Sequence, residues 1–389
     1  MLSHINHEYK QKRDIDTMEI LEQLFHERNS SFNTQELYKR SAKYYSKLTG
    51  HTLKELLKIA DDEETNNIRW KNTQTRKWLI KYREYLFDKY SKNTARSYLT
   101  AIITFYRHFE ITIPPLPYYS TKNVKTSPPI KYTDLPDREI LSECIKISKP
   151  VMAAAILFMS SSGLSRIDFT NLTIQDYLEA TKDYHNEDNI KAAASVMLEQ
   201  NNIIPTFYLS RQKTGVNYFT FCSPEATKAI NQYILTRKET LRKDKPLFKI
   251  NKRYMSHQFT QLNEHFHLGK AGTYNRMRPH MLRKYHASQL AEAGMSTDHI
   301  NLLQGRKVAG VAHESYIRIK PETLKKEYIE ALPYLVIDDS TKYKTELEEV
   351  KSSNTVLQDA IVKKDEQLKE LDRLLYEFKN HQYRQENNI

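Results

Sequence analysis

Between residues 111 and 131 the chain reads ITIPPLPYYSTKNVKTSPPIK, with prolines at Pro114, Pro115, Pro117, Pro128 and Pro129. Each proline fixes φ and removes a backbone donor, so neither a helix nor a central strand can run through this stretch. Its serine, threonine and lysine content fits an extended, solvated linker. Folding is therefore expected to produce two bodies: residues 1–110 and residues 132–336, joined by a linker at 111–131. Residues 337–389 form a third, different segment. At 389 residues there is enough chain for two separate cores.

The first body reads as helical. Ile15, Met18, Leu21, Leu24 and Phe25 form one apolar stripe, and a second runs from Leu37 to Leu48. Asn33 and Glu36 stand at capping-box spacing, which places a helix start there. Asp61 to Glu64 is an acidic run, read as a solvated helix end rather than a metal site. Trp78, Leu79, Tyr82, Tyr85 and Leu86 mark one helix, and Tyr98, Leu99, Ile102, Ile103 and Phe105 the next, with Ser91 to Thr94 as turn and cap between them.

In the second body, VMAAAILFM (151–159) predicts a buried helix from Pro150 that stops at Gly163, after a helix capped by residues 133–136. Ser165 then caps a helix with Arg166 in its first turn. Two aromatic-rich strands flank a Thr-Gly turn in FYLSRQKTGVNYFTF (207–221). Residues 178–203 are a polar insertion, helical over 192–197. A helix is expected over 224–238. Residues 278–317 read RPHMLRKYHASQLAEAGMSTDHINLLQGRKVAGVAHESYI. Pro279 starts a helix, and His280 and Arg283, three apart, project from one face of its first turn. An imidazole and a guanidinium beside free helix amides make a phosphate pocket. Leu282, Leu290 and Ala291 can face a core. Gly294 closes the helix, Ser296 or Thr297 opens a short one ending at Gly305, and a helix over 321–332 is expected to stop at Pro333.

These residues carry a resemblance. HMLRKYHAS resembles the H-x-L-R box of tyrosine recombinases, and LLQGRKVAGVAHESYI resembles the box that ends in their nucleophilic tyrosine. FMSSSGLSRIDFTNLTIQDY is similar to the G-L-R box, and Lys213 sits where the family places a lysine on a hairpin. The resemblance implies a catalytic set of Arg166, Lys213, His280, Arg283, Arg306 and Tyr316, with Tyr316 as nucleophile. Two departures stand out. Phe169 holds a position where the family usually has a carboxylate, with Asp168 beside it. Arg306 follows Gly305 where the family usually has His or Trp, a pattern closer to integrases of archaeal viruses and plasmids. Arg211 is an alternative cation to Lys213, and Tyr285 and Tyr328 are competing phenols. His286 and His313 read as surface or supporting residues. The implied fold is mainly α with a small antiparallel β-sheet: a helical core-binding domain and a mixed α/β catalytic domain. The implied reaction is site-specific strand cleavage and rejoining through a 3′-phosphotyrosyl intermediate, for integration or excision of a mobile element.

The run S-x-N-T-x-x-x-Y-x-x-x-I-x-x-F from Ser91 resembles the family's core-binding domain, whose phosphate contacts would fall to Lys71, Arg76, Lys77, Lys81, Arg83 and Arg96. Two helical bodies joined by a strap could close on a duplex as a clamp. A net charge of +12 suits double-stranded DNA as partner. Cys144 and Cys222 lack metal-ligand spacing and are expected as buried free thiols, with no metal and no cofactor. MLSHINHEYKQKRD shows no apolar signal region, so a cytoplasmic, nucleoid-associated protein is expected, in the host cell if virus-encoded. Leu347, Asn354, Ile361, Leu368 and Leu375 hold the a positions of a heptad register, with Val350, Leu357, Lys364, Leu371 and Phe378 at d, as for a parallel coiled coil or a helix folded back on its own domain. A dimer on each site and a tetramer in synapsis follow from the family likeness. The rival readings are a type IB topoisomerase-like nicking–closing enzyme and a non-catalytic DNA-binding coiled-coil scaffold. Limited proteolysis is expected to cut first within 111–131, and a first cut elsewhere would count against the linker.

Overall fold

A computed structural model describes residues 17–122, 124, 126, 128–306, 320–338 and 364. These form two compact units divided between Pro129 and Ile130. Both are mainly helical, and the only strands among the described residues are two short antiparallel pairs.

The first unit holds α1 (residues 17–27), α2 (Phe32–Thr49), α3 (Leu53–Thr65), α4 (Gln74–Lys89) and α5 (Lys92–His108). Ser31 caps α2 by accepting from the Thr34 amide, so the helix begins before the Asn33–Glu36 pair expected to open it. Thr52 and Glu55 make a reciprocal capping box on α3. The core between α2, α4 and α5 is rich in tyrosine, and each buried phenol needs a partner for its hydroxyl. Tyr45 Oη lies 3.2 Å from Tyr106 Oη, and Tyr82 Oη donates to the Ser41 carbonyl at 3.1 Å. Of the expected α1 stripe, Leu21, Leu24 and Phe25 are buried, Met18 is exposed, and Ile15 lies outside the described residues. Both tryptophans are in this unit. Trp78 packs beside His51, with ring centroids 5.1 Å apart.

The acidic run differs from its expected role. Glu63 is buried and accepts from the amides of Gln74 and Thr75, so its carboxylate caps the start of α4. Glu64 accepts from the Thr112 amide at 2.7 Å. No group of three or more metal-ligating side chains exists among the described residues.

The first part of the expected linker is packed rather than loose. Ile111 and Ile113 are buried in this unit's core, and Leu116 and Tyr119 pack against it. The prolines donate nothing, so beyond the amides of Ile111 and Thr112 the strap is held through its carbonyls. Arg107 Nη2 donates to the Ile113 carbonyl at 2.9 Å and Arg83 Nη1 to the Pro117 carbonyl at 2.6 Å. The Arg83 guanidinium also lies 4.7 Å from the Tyr119 ring centre.

The second unit is built on α7 (Pro150–Ser162), which is apolar all round and therefore buried all round. Around it pack α6 (Arg138–Ile147), α11 (Pro224–Thr236), α13 (Pro279–Glu292) and strand β2 (Asn217–Phe221). β2 pairs with β1 (Thr206–Ser210), Ser210 opposite Asn217, which leaves residues 211–216 as the hairpin turn. The remaining helices are α8 (Arg166–Asn171), α9 (Ile174–Thr181), α10 (Ile190–Leu198), α12 (Lys252–His265), α14 (Thr297–Leu303) and α15 (Pro321–Leu335), with a two-residue pair β3 (Lys270–Ala271) and β4 (Tyr274–Asn275). Phe169 occupies the core, stacked on Phe248 with centroids 4.4 Å apart.

Three local expectations are corrected, and the helix expected over 192–197 is present. Residues 133–136 do not cap α6; Asp137 does, accepting from the Ile140 amide. The polar insertion contributes α10, whose Ala193 and Ala194 are buried and which packs on α11. Ala291 is exposed, facing away from the core that takes Leu282 and Leu290. α15 runs on to Leu335 with Pro333 inside its last turn, where the Pro333 carbonyl accepts from Arg138 Nη2. The heptad register lies outside the described residues except for Lys364. No described helix is long and apolar enough to cross a membrane.

Two outcomes follow. A protease of broad specificity such as proteinase K should cut near exposed Lys122 before any site in 111–119, because that strap is pinned to a core. Replacing Glu63 by Ala should lower the unfolding free energy by about 1–2 kcal/mol, the usual cost of a lost helix cap, measured by thermal or urea unfolding.

Candidate active site

The site begins where α7 ends. Gly163 adopts φ +64°, and a Cβ added there would lie 2.5 Å from His286 Nδ1, so both conformation and space require glycine. The chain turns through Leu164 to Ser165, whose Oγ accepts from the Asp168 amide at 3.3 Å and caps α8. Arg166 stands in the first turn of α8, its Nη1 donating to Ser256 Oγ at 3.2 Å.

Asp168 is buried. Its Oδ2 accepts from Ser165 Oγ at 2.7 Å, and its Oδ1 accepts from the Gln212 amide at 3.1 Å. One carboxylate thus ties the helix carrying Arg166 to the hairpin turn carrying Lys213. Arg211, on the same turn, donates from Nη1 to the Gly305 carbonyl at 2.7 Å. Lys213 is exposed.

On α13, Pro279 occupies the first turn, and His280 and Arg283 follow on one face. Arg283 is buried, donating from Nη1 to the Gly163 carbonyl at 2.7 Å and from Nη2 to the Gln304 carbonyl at 2.6 Å. α14 ends at Leu303, capped at its start by Ser296 as expected. Gly305 has φ +59°, and a Cβ there would meet the Tyr218 ring at 2.7 Å. Arg306 follows, its amide bonded to the Asn301 carbonyl at 2.8 Å.

Arg166, Lys213, His280, Arg283 and Arg306 all line one cavity of about 980 Å³. Arg211, Lys270 and Arg278 line it too, and among the described residues Asp168 supplies its only carboxylate. None of these cations makes an ion pair with a carboxylate among the described residues. The crowding registers in their acidities. Burial, then the charges of Arg306 and Arg211, pull Arg283 down to about 10. Burial and Arg211 lower Arg306. Burial, followed by Lys284, Arg278, Arg283 and Arg306, lowers His280, so its imidazole is neutral at pH 7. Seven cationic side chains around one carboxylate form a pocket that an anion would stabilise.

The remaining expected residues divide clearly. Tyr316 and His313 lie outside the described residues. Tyr285 is buried, its phenol pushed up to about 12 mainly by burial, and Tyr328 is buried with Oη donating to the Ser161 carbonyl at 2.8 Å. Neither phenol reaches the cavity. His286 is an interior residue, fully buried, not a helix-surface one. In the first unit Lys71, Lys77, Lys81 and Arg96 are exposed and Arg76 is half-buried, but Arg83 is buried and spent on the Pro117 carbonyl and Tyr119. Arg83 is therefore withdrawn as a phosphate contact. Arg278, Lys270 and Gln304 were not anticipated. Arg278 directly precedes Pro279 and could have been read with that box, whereas nothing local marks Lys270. Both cysteines are free and buried.

Residues 138–322 match the phage integrase family. Among solved structures the chain is similar to XerA recombinase, at 16% identity over 81% of this chain and 97% of that one, with a TM-score of 0.31. It is similar to the Tn1549 transposon integrase in complex with circular intermediate DNA, at 17% identity over 65% and 82%, TM-score 0.38. It is also similar to the XerH site-specific recombinase bound to difH substrate, at 14% identity over 68% and 73%, TM-score 0.43. No curated protein matches the sequence.

Burial pulls the His286 imidazole down to about 3, below its ordinary value near 6.5. The unfolded chain therefore binds a proton that the folded chain refuses. His286 contributes stability fully present above pH 6.5 and lost as pH falls toward 3, on the order of 4 kcal/mol across that window. Replacing His286 by Gln should flatten this acid limb in urea unfolding measured from pH 7 to 4.

Proposed function

We propose that this chain, whose residues 138–322 match the phage integrase family, is a site-specific DNA recombinase that breaks and rejoins strands through a tyrosine–phosphate intermediate. The observation that carries this reading is the convergence of Arg166, Lys213, His280, Arg283 and Arg306 on one cavity. They come from four stretches far apart in sequence, and cations gather against their mutual repulsion only where an anion offsets it.

In this reading the scissile phosphate of a DNA duplex enters the cavity. The oxygen of Tyr316 attacks phosphorus, the bond to the 5′-oxygen breaks, and a 3′-phosphotyrosine forms. Charge building on the non-bridging oxygens is met by the guanidiniums of Arg166 and Arg283. Arg283 arrives already oriented, since two of its donors are engaged by main-chain carbonyls. The leaving 5′-oxygen takes a proton from Lys213, exposed on the hairpin turn. Neutral His280 accepts the phenolic proton or holds the phosphate, and Arg306 adds a further donor. Attack of a new 5′-hydroxyl on the phosphotyrosine reverses these steps on another strand, so no external energy source is consumed.

Finer points belong to the same proposal. Lys71, Arg76, Lys77, Lys81 and Arg96 on the first unit position a duplex through its phosphates. The protein works as a dimer on each site and a tetramer in synapsis, with the 337–389 segment pairing between protomers. It serves a mobile element, in the manner of the archaeal viral and plasmid integrases its Gln304-Gly305-Arg306 sequence resembles, and acts in the cytoplasm.

The test is covalent trapping on nicked duplexes drawn from a pool of randomised sequence. The wild-type chain should form an adduct that Tyr316→Phe does not. An adduct that persists in Tyr316→Phe would overturn the nucleophile. Arg166→Ala and Arg283→Ala should each slow adduct formation by roughly 10²–10³-fold or more, and Arg306→Ala by about tenfold.

A further inference from the structure

Beneath the cationic cavity lies a polar pair that the chemistry above does not use. Gln304 and His286 are both fully buried. The Gln304 side-chain nitrogen donates to the Arg283 carbonyl at 2.9 Å and faces His286 Nδ1 at 3.1 Å. A carbonyl can only accept, so the amide nitrogen is the atom turned this way, and it makes Nδ1 an acceptor too. In the other direction, Arg283 Nη2 donates to the Gln304 carbonyl at 2.6 Å. Each residue thus gives its side chain to the other's main chain.

The next carbonyl in the chain, that of Gly305, takes Arg211 Nη1 at 2.7 Å. Consecutive carbonyls at the end of α14 therefore hold two of the guanidiniums that line the cavity. Apart from Arg283 itself, the Gln304 side chain is what ties that pair of carbonyls back to the body of α13 by a side-chain hydrogen bond among the described residues. Its position is fixed from below by the imidazole, which in turn is pressed against Gly163, the residue whose carbonyl takes the other end of Arg283.

Burying an amide and an imidazole is costly, and the pair is not even fully satisfied: Gln304 Oε1 and His286 Nε2 have no partner among the described residues. Two apolar side chains would fill this space without that cost. What they could not supply is direction. Building on the recombinase reading, we propose that Gln304, set by His286, is a positioning residue for Arg283 and Arg211, fixing the angle at which both guanidiniums meet the phosphate.

The experiment measures single-turnover adduct formation with the trapped duplex, alongside thermal unfolding and non-covalent DNA affinity in the Tyr316→Phe background. Gln304→Leu should remain folded and bind DNA within about threefold of the parent, yet form adduct roughly 10–100-fold more slowly, as expected when a clamp is misaimed by a fraction of an ångström. His286→Phe should do the same, whereas His286→Gln, which restores an acceptor, should recover to within several-fold of wild type. A folded Gln304→Leu chain that cleaves at the wild-type rate overturns the proposal. So does a loss of rate in all three variants that only tracks their folded fraction. A wild-type chain that forms no adduct with any duplex in the pool removes the recombinase reading itself, and this proposal with it.

Discussion

The second unit depends on one guanidinium. Arg283 is buried without a carboxylate partner, a placement that costs far more than it returns unless its donors are met. They are met by the Gly163 carbonyl at the end of one helix and the Gln304 carbonyl at the end of another. Gly163 lies three residues before Arg166, and Gln304 two before Arg306. A single side chain thereby fixes the distance between two segments more than a hundred residues apart, and both must present a cation to the same space. The glycine at each junction is a spatial requirement as much as a conformational one, because His286 and Tyr218 fill the room a side chain would need.

That arrangement is electrostatically incomplete by construction. Among the described residues Asp168 is the only carboxylate on the cavity wall, and its oxygens are committed to Ser165 and Gln212. The charge of the surrounding side chains is left for a ligand to balance. The depressed acidities of Arg283, Arg306 and His280 express the same imbalance from the protein's side. A pocket organised in this way is suited to an anion.

Much of the second unit was legible in the sequence, because local rules governed it. The apolar run of α7, its glycine stop, the Ser165 cap and the hairpin at Lys213 each follow from spacing and propensity, and the structure has them. What escaped were roles set by residues distant in sequence. Glu63 looked like part of a solvated acidic run, yet it caps a helix that begins eleven residues later. Arg83 had the look of a surface cation, but a carbonyl of the proline-rich strap claimed it. Gln304 was legible only as part of the box ending at Arg306 and His286 only as a surface or supporting residue, since their pairing exists only in the fold. Pro333 should have ended its helix; placed in the last turn, it forfeits one amide bond and the helix goes on.

The tryptophans have a consequence of their own. Trp70 and Trp78 both belong to the first unit, and Trp78 sits on α4 between Lys77 and Lys81, beside the His51 imidazole. Indole emission from this protein is therefore a spectroscopic voice for one unit alone. A polyanion settling on the α4 face would change its colour or brightness.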